Sequence, residues 1–118
     1  MILSREQILE KNDLPSELVE VPEWGGAVWV RGMSGAERDS FEDSIIAGEK
    51  GSRVVNISNF RAKLAVRSIV DEQGRRLFTD DDADLLGAKS AAGLQRIVEV
   101  AKRLSAFSPE DVSELTKN

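Results

Sequence analysis

The densest set of chemistry-bearing side chains in this 118-residue chain is Asp80, Asp81, Asp82 and Asp84. Such carboxylates can ligate a hard cation when they converge from a loop built on an ordered turn. No glycine interrupts this cluster, and no glutamate closes a loop at calcium-loop spacing. The pattern therefore predicts first-turn acids complementing a helix dipole, with several of them solvated. The chain contains no histidine and no cysteine, so the commonest general base and the strongest nucleophile are missing. Disulfides and thiolate zinc sites are excluded for the same reason. Gly25-Gly26, Gly32 and Gly35 lack the Lys-Ser/Thr ending and the strand–glycine–helix order of a phosphate loop. No catalytic residue, metal, cofactor or enzymatic activity is expected.

What remains is shape, and it concentrates between Val21 and Arg38. That stretch holds both tryptophans, a Gly-Gly pair, an apolar run and a capped helix start. Trp24 lies in the turn between Glu23 and Gly25-Gly26. A large aromatic there is either folded back as a lid on the core or offered as an interface anchor, a residue type enriched at binding hot spots. Trp29, between Val28 and Val30, is expected to be buried in a strand.

Four helix starts can be read from capping chemistry: Ser4 with Gln7, Ser34 with Glu37, Thr79 with Asp82, and Ser108 with Asp111. Pro109 follows Ser108 at the first helical position, where its missing N–H is harmless. A short helix over 4–11 precedes a β-hairpin over 17–31, in which 17–21 and 27–31 pair around a turn at 22–26. A helix over 34–47 buries Phe41 and Ile45, with Ala36 close by, and ends in a mobile loop bracketed by Gly48 and Gly51. Ile57, Phe60, Ala62, Leu64, Val66, Ile69 and Val70 predict a central helix over 57–70. Asp71 to Gly74 forms a turn, and Val70 is expected to pair with Leu77-Phe78. A two-turn helix over 80–86 leads to a helix over 91–104 with an apolar row of Leu94, Ile97, Val98, Ala101 and Leu104. A last helix, 109–116, has only Val112 and Leu115 as apolar anchors. The fold class is mainly α (α+β): one small domain, 1–118, of four to five helices in 34–118 behind an N-terminal β-hairpin.

Composition sets the outer limits. The chain is 41% hydrophobic and 31% charged, with aromatics at only 5%, so the core must rest on Ile, Leu, Val and Ala. Its net charge of −5, from 16 basic and 21 acidic residues, disfavours nucleic acid, whose binding depends on Lys and Arg displacing counterions. The start lacks a signal-peptide core. No apolar stretch approaches the ~20 residues of a membrane span. A soluble protein of a reducing cytoplasm is expected, without membrane or nucleic-acid partners.

The order Glu20-Val21-Pro22-Glu23-Trp24-Gly25-Gly26, then Val30-Arg31-Gly32-Met33-Ser34-Gly35-Ala36-Glu37-Arg38-Asp39, resembles the tail assembly chaperones of long-tailed (siphovirus-type) bacteriophages and prophages. Ile69-Val70-Asp71-Glu72-Gln73-Gly74 with Leu77-Phe78-Thr79-Asp80 is similar to the same family. So are Leu86-Gly87-Ala88-Lys89-Ser90-Ala91-Ala92 and Ser108-Pro109-Glu110-Asp111-Val112. The resemblance implies a protein of the host (bacterial) cytoplasm, absent from the mature virion. It would bind the phage tape-measure protein, keep it soluble and help recruit tail tube protein. Self-association follows if many copies coat a long client. The resemblance also implies a longer form made by ribosomal frameshifting, and Thr116-Lys117-Asn118 can be encoded with the slippery run A AAA AAC. Trp24, Val112 and Leu115 are the expected partner contacts. A rival from another class is a structural tail component, a tube or terminator subunit retained in the virion. Its larger ring-forming sheets are not matched by two short hairpins.

Overall fold

The computed structural model describes residues 1–47, 54–55 and 59–107. The expectations for the Gly48/Gly51 loop, for Ile57, and for the final helix with Val112 and Leu115 fall outside the described residues. The element order is α1 (Arg5–Glu10), β1 (Ser16–Val21), a 3-10 turn (Pro22–Trp24), β2 (Gly26–Arg31), α2 (Gly35–Ile45), β3 (Ile46–Ala47), β4 (Val54–Val55), α3 (Phe60–Ser68), β5 (Ile69–Val70), a 3-10 turn (Asp80–Asp82), α4 (Ala83–Gly87) and α5 (Ala91–Leu104). Helices joined to a small antiparallel sheet make this an α+β fold with its hairpin near the N-terminus.

Three of the expected capping boxes form. Ser4 Oγ accepts from Gln7 N while Gln7 Oε1 accepts from Ser4 N. Ser34 and Glu37 exchange the same pair of bonds, as do Thr79 and Asp82. Ser90, not anticipated as a cap, accepts from Gly93 N at the start of α5. The acids at the start of the 80s are thus spent locally. Asp82 caps its turn, and Asp80 is held by Arg67 at 3.0 Å and by Arg76 at 2.7 Å.

Two helices are shorter than their apolar patterns predict. α2 stops at Ile45, and Ile46–Ala47 pairs antiparallel with Val54–Val55. α3 stops at Ser68, because Ile69 and Val70 pair with Val30 and Trp29 as the third strand of the sheet. Both departures occur at β-branched residues, whose side chains favour extended backbone once a strand partner is present. The pairing beyond β5 centres on Arg76, which bridges to Val70, while Leu77 N donates to the Ile69 carbonyl at 3.1 Å.

The sheet order is β1-β2-β5. Alternation along the hairpin sends Val19, Val21 and Val30 to the core, with Val28 packed against it. Trp29 therefore faces the opposite side of the sheet and is half-buried. Its expected burial is corrected by this register. Ala36 also lies exposed, and Met33 takes the buried place before α2. The core joins the hairpin to Phe41 and Ile45 of α2, to Ala62, Leu64, Ala65 and Val66 of α3, and to Leu94, Ile97, Val98 and Ala101 of α5.

α5 lies along the hairpin. Its Gly93 sits against Val21 and the 22–24 turn, and its Leu104 carbonyl abuts Gly32 just past β2. The lengths are comparable: eleven helical steps from Gly93 to Leu104 rise about 17 Å at ~1.5 Å each, and the six strand steps from Gly26, opposite Val21, to Gly32 span at most about 20 Å at ~3.4 Å each. Met33 N donates to the buried Ser105 Oγ at 2.9 Å, fixing the far end. A Cβ on Gly32 would collide with the Leu104 carbonyl, whereas one on Gly35 would meet nothing within 4 Å. Gly32→Ala should therefore lower unfolding free energy in urea by about 1–3 kcal/mol, the usual cost of overpacking. Gly35→Ala should leave it nearly unchanged.

Candidate partner-binding site

Pro22 opens the tight turn of the hairpin with its fixed φ, and Gly25 closes it in the left-handed region at φ 73°. Between them the turn projects Glu23 and Trp24 across the first part of α5. Trp24 is half-buried and packs against the core. A Cβ on Gly93 would lie 3.4 Å from Trp24 Nε1 and 3.5 Å from both Glu23 Cβ and Val21 Cγ1. The indole thus lies one methyl's contact distance above the helix backbone at Gly93. Trp24 Nε1 is buried and finds no hydrogen-bond partner among the described residues. An N–H in that state costs about 1–3 kcal/mol. The indole is packed against the core on one side and borders a hollow on another.

That hollow has a volume of ≈ 430 Å³ and is lined by Trp24, Phe78, Leu85, Leu86 and Lys89. Leu86 is buried in the core, while Leu85 beside it is 72% exposed. An exposed leucine next to a half-covered tryptophan and phenylalanine makes an apolar recess open to a partner, with the exposed Lys89 as its one charged wall. Phe78, Leu85, Leu86 and Lys89 were not singled out by sequence reasoning as site residues. Leu85 carried a signal, as a leucine on the wet side of a short helix. Gly93 carried another, since an isolated glycine within a helical pattern usually has a packing reason. Val112 and Leu115 lie outside the described residues, so only Trp24 of the three expected contacts has a described position.

The turn is held to α5 by a two-pronged ion pair. Arg96 Nε donates to Glu23 Oε1 at 2.9 Å and Arg96 Nη2 to Glu23 Oε2 at 3.2 Å. The Arg96 hydrogen bonds, followed by backbone hydrogen bonding within the turn, hold the Glu23 carboxyl below its ordinary value. Hydrogen bonding to Glu23 in turn raises the Arg96 guanidinium. Two other hollows offer different surroundings. One, of ≈ 340 Å³, is lined by Lys63, Arg67, Asp80, Asp81 and Asp84 among others, and is occupied electrostatically by the Asp80 pairs. The other, of ≈ 450 Å³, runs beside Phe60, Leu94 and Val98 with Arg61, Lys89 and Lys102 around it. Among the described residues no group of three acidic or metal-ligating side chains converges on a cation position. No helix among them is long and apolar enough to cross a membrane.

A family model described as phage tail assembly chaperone matches residues 5–118. The chain belongs to this family, which covers the hairpin, the Trp24 turn and every helix of the fold. No curated protein and no solved structure matches it. Its general role is accordingly assembly of a phage tail within the host cell, among tail proteins, and the family's role is not a catalytic one.

The depressed Glu23 carboxyl fixes a pH dependence. Stability from such a group is fully present above its unfolded value and is lost as pH falls through the folded one. Trp24 emission, followed in a Trp29→Phe background, should stay constant from neutral pH down to 4.5, the ordinary glutamate value, and shift only at lower pH. With Arg96→Ala the shift should begin higher, within the ordinary glutamate range.

Proposed function

We propose that this protein is a non-enzymatic chaperone that binds the tape-measure protein, keeps it soluble and helps recruit tail tube subunits. The observation that carries this reading is the apolar recess at the hairpin turn, with Trp24, Phe78 and the exposed Leu85 around ≈ 430 Å³. A long helical client carries apolar stripes that aggregate when uncovered. A recess of this size accepts one or two large apolar side chains from such a stripe, and Lys89 offers a cation to a flanking acid. Trp24 is proposed as the anchor, and Val112 and Leu115 as a second contact region. Several copies are needed to cover a long client, so the protein is also read as self-associating. Residues 1–118 are taken as one tail-assembly-chaperone-like domain.

Co-expression with the tape-measure protein tests the reading. Leu85→Asp changes a side chain that is 72% exposed, so folding should be unaffected. The yield of soluble, co-purifying client should fall about tenfold or more, as expected for a hot-spot loss of ~1–2 kcal/mol or above. Trp24→Ala and the pair Val112→Ala, Leu115→Ala should each reduce it as well. Folded variants of all three kinds that retain parental yield would remove the proposal. The protein is further proposed to leave before the particle matures. Mass spectrometry of purified tails should then lack its peptides, and abundant copies would instead favour a retained structural subunit.

A further inference from the structure

The sheet has one open edge among the described residues. β5 is closed on its outer side by the Arg76 bridge, whereas β1 pairs with β2 alone. β1 contains no proline and no lysine and pairs with β2 without a bulge, so its edge is guarded only by Glu17, which is paired with Arg103, and by Glu20. On the sheet face away from the core, Leu18 lies opposite Trp29 and Trp29 opposite Val70, a continuous apolar row across three strands. Leu18, at its open end, is 52% exposed. α1 precedes this edge and buries none of its residues, with Ile8 at 56% and Leu9 at 65% exposure. A six-residue helix without tertiary packing is marginal in water, so its apolar side needs a surface from elsewhere.

We propose that β1 is a self-complementary edge on which two copies of this chain pair antiparallel about Leu18, joining two three-stranded sheets into one. The proposal rests on the self-association read above and names its surface. Charge and register select this pairing. Centring on Glu17 or Glu20 sets like carboxylates directly opposite each other, which is destabilising. Centring on Val19 places Ser16 against Pro22 of the second copy, which has no N–H to give, and sets Leu18 against Glu20. Centring on Leu18 sets Leu18 against Leu18, Glu17 against Val19 and Ser16 against Glu20, with no like charges opposed. The apolar row then runs unbroken through both sheets, from Val70 to Val70. The helices of both copies stay on one side, since directly opposite residues point to the same face. The contact is isologous and closes as a twofold pair. In this register the chain before Ser16 continues past the Val21 end of the second copy's β1, so each α1 arrives beside the other copy's turn.

The chain has no cysteine, so a single introduced thiol reports the register without background. Across the proposed axis the two Leu18 Cα atoms lie about 4.5–5.5 Å apart, within the ~4.4–6.8 Å of a disulfide. Leu18→Cys should therefore form a disulfide-linked dimer with diamide as oxidant. Glu20→Cys, with its thiols about 13 Å apart, should not. In sedimentation equilibrium of the full chain, Leu18→Lys should weaken dimerisation about a hundredfold or more through like-charge opposition, with an unchanged far-UV circular dichroism spectrum. A parent chain monomeric at every concentration would overturn both the pairing and the self-association beneath it. An oligomer unaffected by Leu18→Lys, or one cross-linking equally through Glu20→Cys, would overturn the β1 pairing alone. Dimers lost in Leu18→Lys together with selective Leu18→Cys cross-linking would establish it.

Discussion

The fold depends on how closely α5 can lie along the hairpin. At one end the bare Gly93 receives Val21 and Trp24, and at the other Gly32 meets the Leu104 carbonyl. The two contacts are separated by comparable lengths on helix and strand, so the helix meets the hairpin region at both of its ends. Between them Leu94, Ile97, Val98 and Ala101 cover the inner face formed by Val19, Val21 and Val30. α3 then fills the other side of α5, and its terminal Ile69–Val70 returns to the sheet as the third strand. A side chain at Gly32 would separate layers that the rest of the core holds in contact, whereas a methyl at Gly93 would only fill out the contact with Val21 and Trp24.

This arrangement divides the molecule by face. The inner face of the sheet is committed to the core, and polar chemistry is largely committed to holding elements in place. Arg67 and Arg76 clasp Asp80, Arg96 clasps Glu23, and Arg103 reaches Glu17 at 2.8 Å. The exposed pairs among these, Arg96–Glu23 and Arg103–Glu17, contribute little stability, but they fix direction. Arg96 in particular fixes the turn that carries Trp24. The exposed apolar side chains lie at the periphery: Leu85 beside the recess, Leu18 at the open edge of the sheet, and Ile8 and Leu9 of α1. Such a periphery is in keeping with membership of the tail assembly chaperone family.

Much of this was legible in the sequence because much of it is local. A capping box is written within four residues, so Ser4/Gln7, Ser34/Glu37 and Thr79/Asp82 were readable. The row along 91–104 was readable because helical periodicity survives any tertiary context. Ile69 and Val70 were not, since their apolar character suits the end of a buried helix as well as a strand. Only the presence of β2 alongside decides between these. Trp29 was misplaced for a related reason: a one-residue change of register turns a strand inside out. Trp24 was singled out as a candidate contact from its type and its turn. The recess beside it was not, because Phe78, Leu85 and Lys89 reach it through long-range packing.

The central claim is that the recess bordered by the hairpin turn and α4 receives the client. Amide hydrogen exchange of the full chain, with and without the tape-measure protein, addresses it directly. The account predicts that client binding slows exchange over residues 22–26 and 83–89, on the two walls of the recess. Client binding that leaves both segments exchanging at their free rates would contradict it.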